Sequence, residues 1–76
     1  MPSEPLKLLF RSVNKTIIVK LKDGSEYMGR LVRCDPTMNL TMTDTQELNN
    51  NGDAKTKFGK VLIRGNNILY IKTDLY

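Results

Sequence analysis

Seventy-six residues carry a net charge of +4, one cysteine and no histidine. A chain this short buries only about 60% of its unfolded surface, which allows one small domain with a thin core. Cys34 stands alone and the usual Cys/His zinc ligands are missing. Disulfides and zinc are therefore excluded as staples, no metal or cofactor is expected, and self-association is the remaining source of stability. The same shortage removes the usual nucleophile and base sets, so no catalytic residue is expected.

The first predicted element is a short amphipathic helix over residues 5–13. Leu6, Leu9, Phe10 and Val13 fall at i, i+3, i+4 and i+7. Ser3 is placed to cap it, and Pro5 falls in the first turn, where its missing N–H costs little. A helix of about nine residues does not persist alone in water, so it must lie on an apolar surface.

The remainder reads as strand. Thr16 to Lys22 alternates Ile17, Val19 and Leu21 with Lys20 and Lys22, and Asp23-Gly24 is a turn signal. Glu26 to Asp35 forms a second, long strand. A loop over residues 23–25 would pair Lys22 with Glu26, Val19 with Gly29 and Ile17 with Leu31, keeping the apolar face intact. Gly29 marks a bend or bulge.

Residues 45–58 are too many for a structureless loop in so small a domain. Extending the third and fourth strands toward Asn51-Gly52 gives a hairpin with its tip at residues 49–53. In that register Met42 faces Val61, Leu40 faces Ile63 and Asn39 faces Arg64. Gly65-Asn66-Asn67 is a tight turn, and Ile68 to Lys72 is a fifth strand. The expected fold is mainly β: a short N-terminal helix, then a five-stranded, strongly bent antiparallel sheet, a small open barrel. Such a sheet keeps two edges with unpaired backbone groups, which suits a ring built by strand addition.

Two segments carry candidate binding chemistry, Asp35-Pro36-Thr37-Met38-Asn39-Leu40 and Arg64-Gly65-Asn66-Asn67. An Asn amide donates and accepts at once, which suits a base edge. An Arg guanidinium stacks on a base and holds a phosphate. The basic residues are otherwise scattered, a balance that leans toward a polyanion partner. No apolar stretch approaches the roughly 18 residues of a membrane span, and no signal-peptide pattern appears. The free thiol of Cys34 suits a reducing, intracellular setting, either cytoplasmic or nuclear.

The chain resembles the Sm and Sm-like (Lsm) proteins over nearly its whole length, read as one domain over 1–76. The first Sm motif, within about 16–44, is similar to Lys20-Leu21-Lys22-Asp23-Gly24, then Tyr27 to Leu31, then Asp35-x-x-Met38-Asn39-Leu40. The second, within about 59–72, is similar to Gly59 through Ile68, with Arg64-Gly65 its most specific pair. With no long charged or Arg/Gly-rich tail, the chain looks more like an archaeal member. The resemblance implies a homomeric ring, commonly of seven subunits, closed by pairing the fourth strand of one subunit with the fifth of the next. It implies binding of single-stranded, uridine-rich RNA at the inner rim, as a scaffold in RNA processing or ribonucleoprotein assembly, with paralogue subunits or RNA-processing proteins as further partners.

In such a site Asn39 would bond the base edge, Arg64 would stack on the base, and Gly65 would let the chain turn tightly. Thr37 stands where the family often has His or an aromatic residue; it can hydrogen-bond but cannot stack. Asn66 stands where many members have Asp, and it could accept the same bonds without the charge. Two other readings of the same residues are a protein-interaction or assembly module, and a general single-stranded nucleic-acid binder.

Overall fold

The structure, a computed structural model, describes residues 4–73. The expected cap Ser3 lies outside the described residues. Helix α1 (Glu4–Arg11) is followed by strands β1 (Thr16–Leu21), β2 (Glu26–Cys34), β3 (Leu40–Leu48), β4 (Ala54–Phe58), β5 (Val61–Ile63) and β6 (Ile68–Lys72). A single turn of 3₁₀-helix, Gly65–Asn67, links β5 to β6.

The helix is two residues shorter at its C-terminal end than the periodicity suggests. Beyond Arg11 the bonding tightens: the Ser12 N–H reaches the Leu9 carbonyl at 3.0 Å, and the Ser12 hydroxyl donates to the Leu8 carbonyl at 2.8 Å. Asn14 then turns the chain with φ +71, a left-handed conformation that Asn tolerates. Leu9 is buried, and Leu6 and Val13 pack against the core, but Phe10 is exposed. The i, i+3, i+7 row meets the sheet, and Phe10 flanks it on the solvent side.

The sheet runs β4-β3-β2-β1-β6, with β5 also on β3. Six strand segments appear instead of five because the expected fourth strand is interrupted at Gly59-Lys60. Both halves keep one register against β3, with Thr45 opposite Phe58 in the first and Met42 opposite Val61 in the second. The expected pairs Leu40–Ile63 and Met42–Val61 are both present.

The first hairpin has the expected loop length but begins one residue earlier. The Leu21 N–H bonds the Ser25 carbonyl at 2.8 Å, leaving Lys22, Asp23 and Gly24 as the loop. Ile17 therefore pairs with Gly29, and Val19 with Tyr27. Gly24 has φ +97 and takes the left-handed third position that a three-residue hairpin loop requires. The pairing moves by two positions, so every side chain keeps its face and the apolar pattern survives.

The tip of the second hairpin repeats this solution. The Asn49 N–H bonds the Asp53 carbonyl at 2.8 Å, and Gly52, with φ +84, is again third in the loop. One extra residue on β4, Lys55, then restores the register expected of a two-residue turn, because Glu47 pairs with Thr56 while Leu48 pairs with Ala54.

Bending is concentrated in β2. Its pairing with β3 shifts between Met28 and Arg30 and again between Leu31 and Arg33. Gly29 sits in the first shift, as expected. A Cβ there would lie 3.0 Å from the Thr43 carbonyl oxygen and 3.0 Å from the Thr45 Cα, so the strands approach too closely for a side chain. The bent sheet wraps a core of Leu9, Ile17, Val19, Leu31, Leu40, Met42 and Ile63. Four exposed apolar side chains lie on the two edges, Phe58 and Leu62 on one, Leu69 and Tyr70 on the other, while Leu8 and Phe10 are exposed on α1 and Val32 on β2.

Candidate nucleic-acid interface

The β2–β3 loop is organised by Asp35. Its Oδ1 accepts the Thr37 N–H at 2.9 Å, the Thr37 hydroxyl at 2.7 Å and the Asn39 N–H at 3.0 Å. The Met38 N–H returns to the Asp35 carbonyl at 2.8 Å, and Met38 adopts φ +65, so the chain reverses tightly. Asp spaced two and four residues before the N–H groups it accepts is the geometry that makes Asp a turn residue. These bonds, the Thr37 hydroxyl first and the Asn39 N–H next, hold the Asp35 carboxyl below the usual carboxylate range. Cys34, half-buried beside it, has its thiol pushed up by burial and by the Asp35 charge.

The Asn39 side chain is the junction between the two candidate segments. Its Nδ2 donates to Asp35 Oδ2 at 3.1 Å and to Thr37 Oγ1 at 3.0 Å. Its Oδ1 accepts the Gly65 N–H at 2.8 Å. The β3–β5 ladder ends at Leu40–Ile63, one step short of the expected Asn39–Arg64 pair, and the bond between the two segments runs from the Gly65 N–H to Asn39. Arg64 is exposed and joins Asp35, Asn39, Leu62 and Ile63 around one shallow concavity of about 360 Å³.

Gly65 is needed for a different reason from the expected turn. Its backbone angles are not of the left-handed kind, but a Cβ there would overlap the Thr37 carbonyl oxygen and press on Met38. Glycine permits close approach of the two loops, and that approach is what lets Gly65 donate to Asn39. Asn66 is exposed, and its side chain makes no hydrogen bond to Asn39 or Arg64 among the described residues. Asp35, which was not expected to take part, holds the Asn39 amide instead. The spacing Asp35-x-Thr37-x-Asn39 was the available signal. Lys22 joins the same end of the molecule, its N–H bonding the Asn67 carbonyl at 2.8 Å.

Among the described residues no group of His, Cys, Asp and Glu could hold a metal ion, and no helix is long and apolar enough to cross a membrane. What the site offers is an exposed guanidinium beside a rigidly held amide, at the rim of a sheet with two free edges. These features define a small bent-sheet domain with groups that can meet a base edge and a phosphate.

The comparisons with known proteins agree with this class. A model of the LSM domain matches residues 7–73, and the chain belongs to that family. It is 41% identical over 71 residues to a putative snRNP Sm-like protein of Thermococcus sibiricus, covering 93% of this chain and 92% of the relative. It superposes on the Sm protein of Pyrococcus abyssi in complex with a uridine heptamer with a TM-score of 0.85 and 36% identity, covering 92% of this chain and 97% of that one. A heptameric archaeal Sm protein gives a TM-score of 0.80 and 34% identity, covering 88% of this chain and 96% of that one.

Proposed function

We propose that this chain, as one Sm-like domain, assembles into a homomeric ring, commonly of seven subunits, and binds single-stranded, uridine-rich RNA at the inner rim. It acts without catalysis as a scaffold in RNA processing or ribonucleoprotein assembly, alone or with paralogue subunits, in the reducing cytoplasmic setting that suits Cys34. The observation that carries the reading is the convergence of Asn39, Arg64 and Gly65 at one rim, held by the Gly65 N–H to Asn39 Oδ1 bond of 2.8 Å. The likeness to an Sm protein solved with a uridine heptamer supports it.

In this reading the Arg64 guanidinium stacks on a base and neutralises phosphate, while the Asn39 amide meets the base edge. Gly65 keeps the two loops in contact, and Thr37 shapes the loop that presents Asn39. Asn66, exposed in the same turn, faces the bound strand. The β4/β5 edge of one subunit pairs with the β6 edge of the next, covering Phe58, Leu62, Leu69 and Tyr70. Without an aromatic platform at position 37 each pocket forgoes base stacking worth about 1–3 kcal/mol. Repetition around the ring recovers affinity through effective concentration.

Filter binding of oligo-uridine at two salt concentrations tests the function. The expected result is saturable binding that weakens with salt, since phosphate contacts release counterions. Absence of saturable binding would instead favour a protein-interaction module.

A further inference from the structure

Every hydrogen-bonding position of the Asn39 amide but one is already filled. Both Nδ2 hydrogens are given away, to Asp35 Oδ2 at 3.1 Å and to Thr37 Oγ1 at 3.0 Å. One Oδ1 lone pair is taken by the Gly65 N–H at 2.8 Å. An amide carries two donor hydrogens and two acceptor lone pairs, so a single acceptor position is left.

The amide cannot flip to escape this. Reversal would set its NH₂ against the Gly65 N–H, and its oxygen against both the Asp35 carboxylate and Thr37 Oγ1. Thr37 Oγ1 is itself fixed as an acceptor toward Asn39, because its hydrogen is donated to Asp35 Oδ1 at 2.7 Å. Three independent contacts therefore agree on one orientation.

We propose that Thr37 is a specificity-determining residue that acts through Asn39: its hydroxyl withholds an Asn39 N–H from the ligand, so Asn39 reads a base only as an acceptor. The inference rests on the reading that Asn39 faces a base. A uracil edge presents the N3–H donor beside the O4 acceptor. This pocket contacts the first through Asn39 and leaves the second without an Asn39 donor. Residue 37 thereby changes which atoms of the base are read, and not only whether the base has a platform to stack on.

The test measures binding of seven-nucleotide uridine, N3-methyluridine and 4-thiouridine strands to the assembled protein by fluorescence anisotropy. N3-methylation removes the donor; sulfur at position 4 weakens the acceptor. For the native protein the expected loss is about tenfold or more with N3-methyluridine, the scale of one hydrogen bond to a positioned group, and less than about twofold with 4-thiouridine. Thr37→Val keeps the shape, removes the hydroxyl and frees one Asn39 N–H, so a loss of about tenfold on 4-thiouridine should appear. Thr37→Ser, which keeps the hydroxyl, should retain the native pattern.

Equal losses on the two modified strands in the native protein would overturn the proposal and show that Asn39 also donates to the base, a result that needs no variant to fold. A Thr37→Val protein still indifferent to 4-thiouridine would overturn it as well. Failure of the native protein to bind plain uridine strands would remove both this inference and the function beneath it, which sets that outcome apart from the other two.

Discussion

Asn39 accepts the backbone N–H of Gly65 at 2.8 Å across 26 positions of sequence, and this bond joins the two loops of the proposed binding site. Asn39→Ala removes it together with both Nδ2 bonds. The expected loss is about 1–2 kcal/mol of stability, since each of the three solvent-exposed bonds contributes about 0.5 kcal/mol net, along with at least tenfold in oligo-uridine affinity. Thermal denaturation and anisotropy on one preparation check both. A variant of native stability and native affinity would remove Asn39 from the site.

Arg64→Ala should behave differently. The Arg64 side chain is exposed and forms no ion pair or hydrogen bond among the described residues, so the melting temperature should not move. Affinity should fall about tenfold, with a salt dependence shallower by about one counterion. Reduced affinity at an unchanged salt slope would point to a base contact without phosphate neutralisation.

Gly65→Ala places a methyl group on the Thr37 carbonyl. Since the obstacle is backbone, the loops must part, at a cost of about 1–3 kcal/mol typical of overpacking. Uridine affinity should fall with stability, because the Asn39 bond cannot survive the separation. A fully stable Gly65→Ala protein would contradict the close approach described above.

Thr45 is fully buried, and its hydroxyl has no hydrogen-bond partner among the described residues. Thr45→Val replaces that hydroxyl with a methyl group of similar size and should raise stability by about 1 kcal/mol, the lower end of the cost of an unsatisfied buried polar group. Denaturant titration checks this through the midpoint at unchanged slope. A destabilised Val variant would mean the hydroxyl does find a partner, such as a buried water.

Acid should loosen the binding loop. The Asp35 carboxyl is depressed in the folded state by the Thr37 hydroxyl and the Asn39 N–H. Its stabilisation is fully present above the unfolded value of about 3.9 and is lost as pH falls through the lower folded value. Asp23, depressed chiefly by the Ser25 hydroxyl, acts with the same sign. Stability should therefore be flat above about pH 5 and decline below pH 4, and Asp35→Asn should remove part of that decline. An unchanged acid limb in Asp35→Asn would assign the effect to other carboxylates.

The residues differ in how much of this they disclosed beforehand. Alternation placed Ile17, Val19 and Leu21 on one face; the first two are buried and Leu21 packs, partly buried, against the core. The inner pairing of β3 with β5 agrees with the register of a two-residue Asn51-Gly52 turn only because the extra residue Lys55 offsets the three-residue turn that forms instead. The turn details were not legible: the first loop has the expected three residues but starts one residue earlier, and the second closes at Gly52 with three residues instead of two. Register alone brought Asn39 and Arg64 to the same end of the sheet, where both line one concavity, though the ladder stops at Leu40–Ile63. The Asp35 network and the space needed at Gly65 were hidden, since both depend on how near two loops come after the sheet has bent.

Native mass spectrometry with a seven-nucleotide uridine strand tests the central claim most directly, because it reads subunit number and RNA occupancy in one spectrum. The expected spectrum shows a closed, seven-membered ring that takes up the strand, and an Asn39→Ala ring of the same size that takes up markedly less. A monomer, or a ring that stays empty in the native protein, would contradict it.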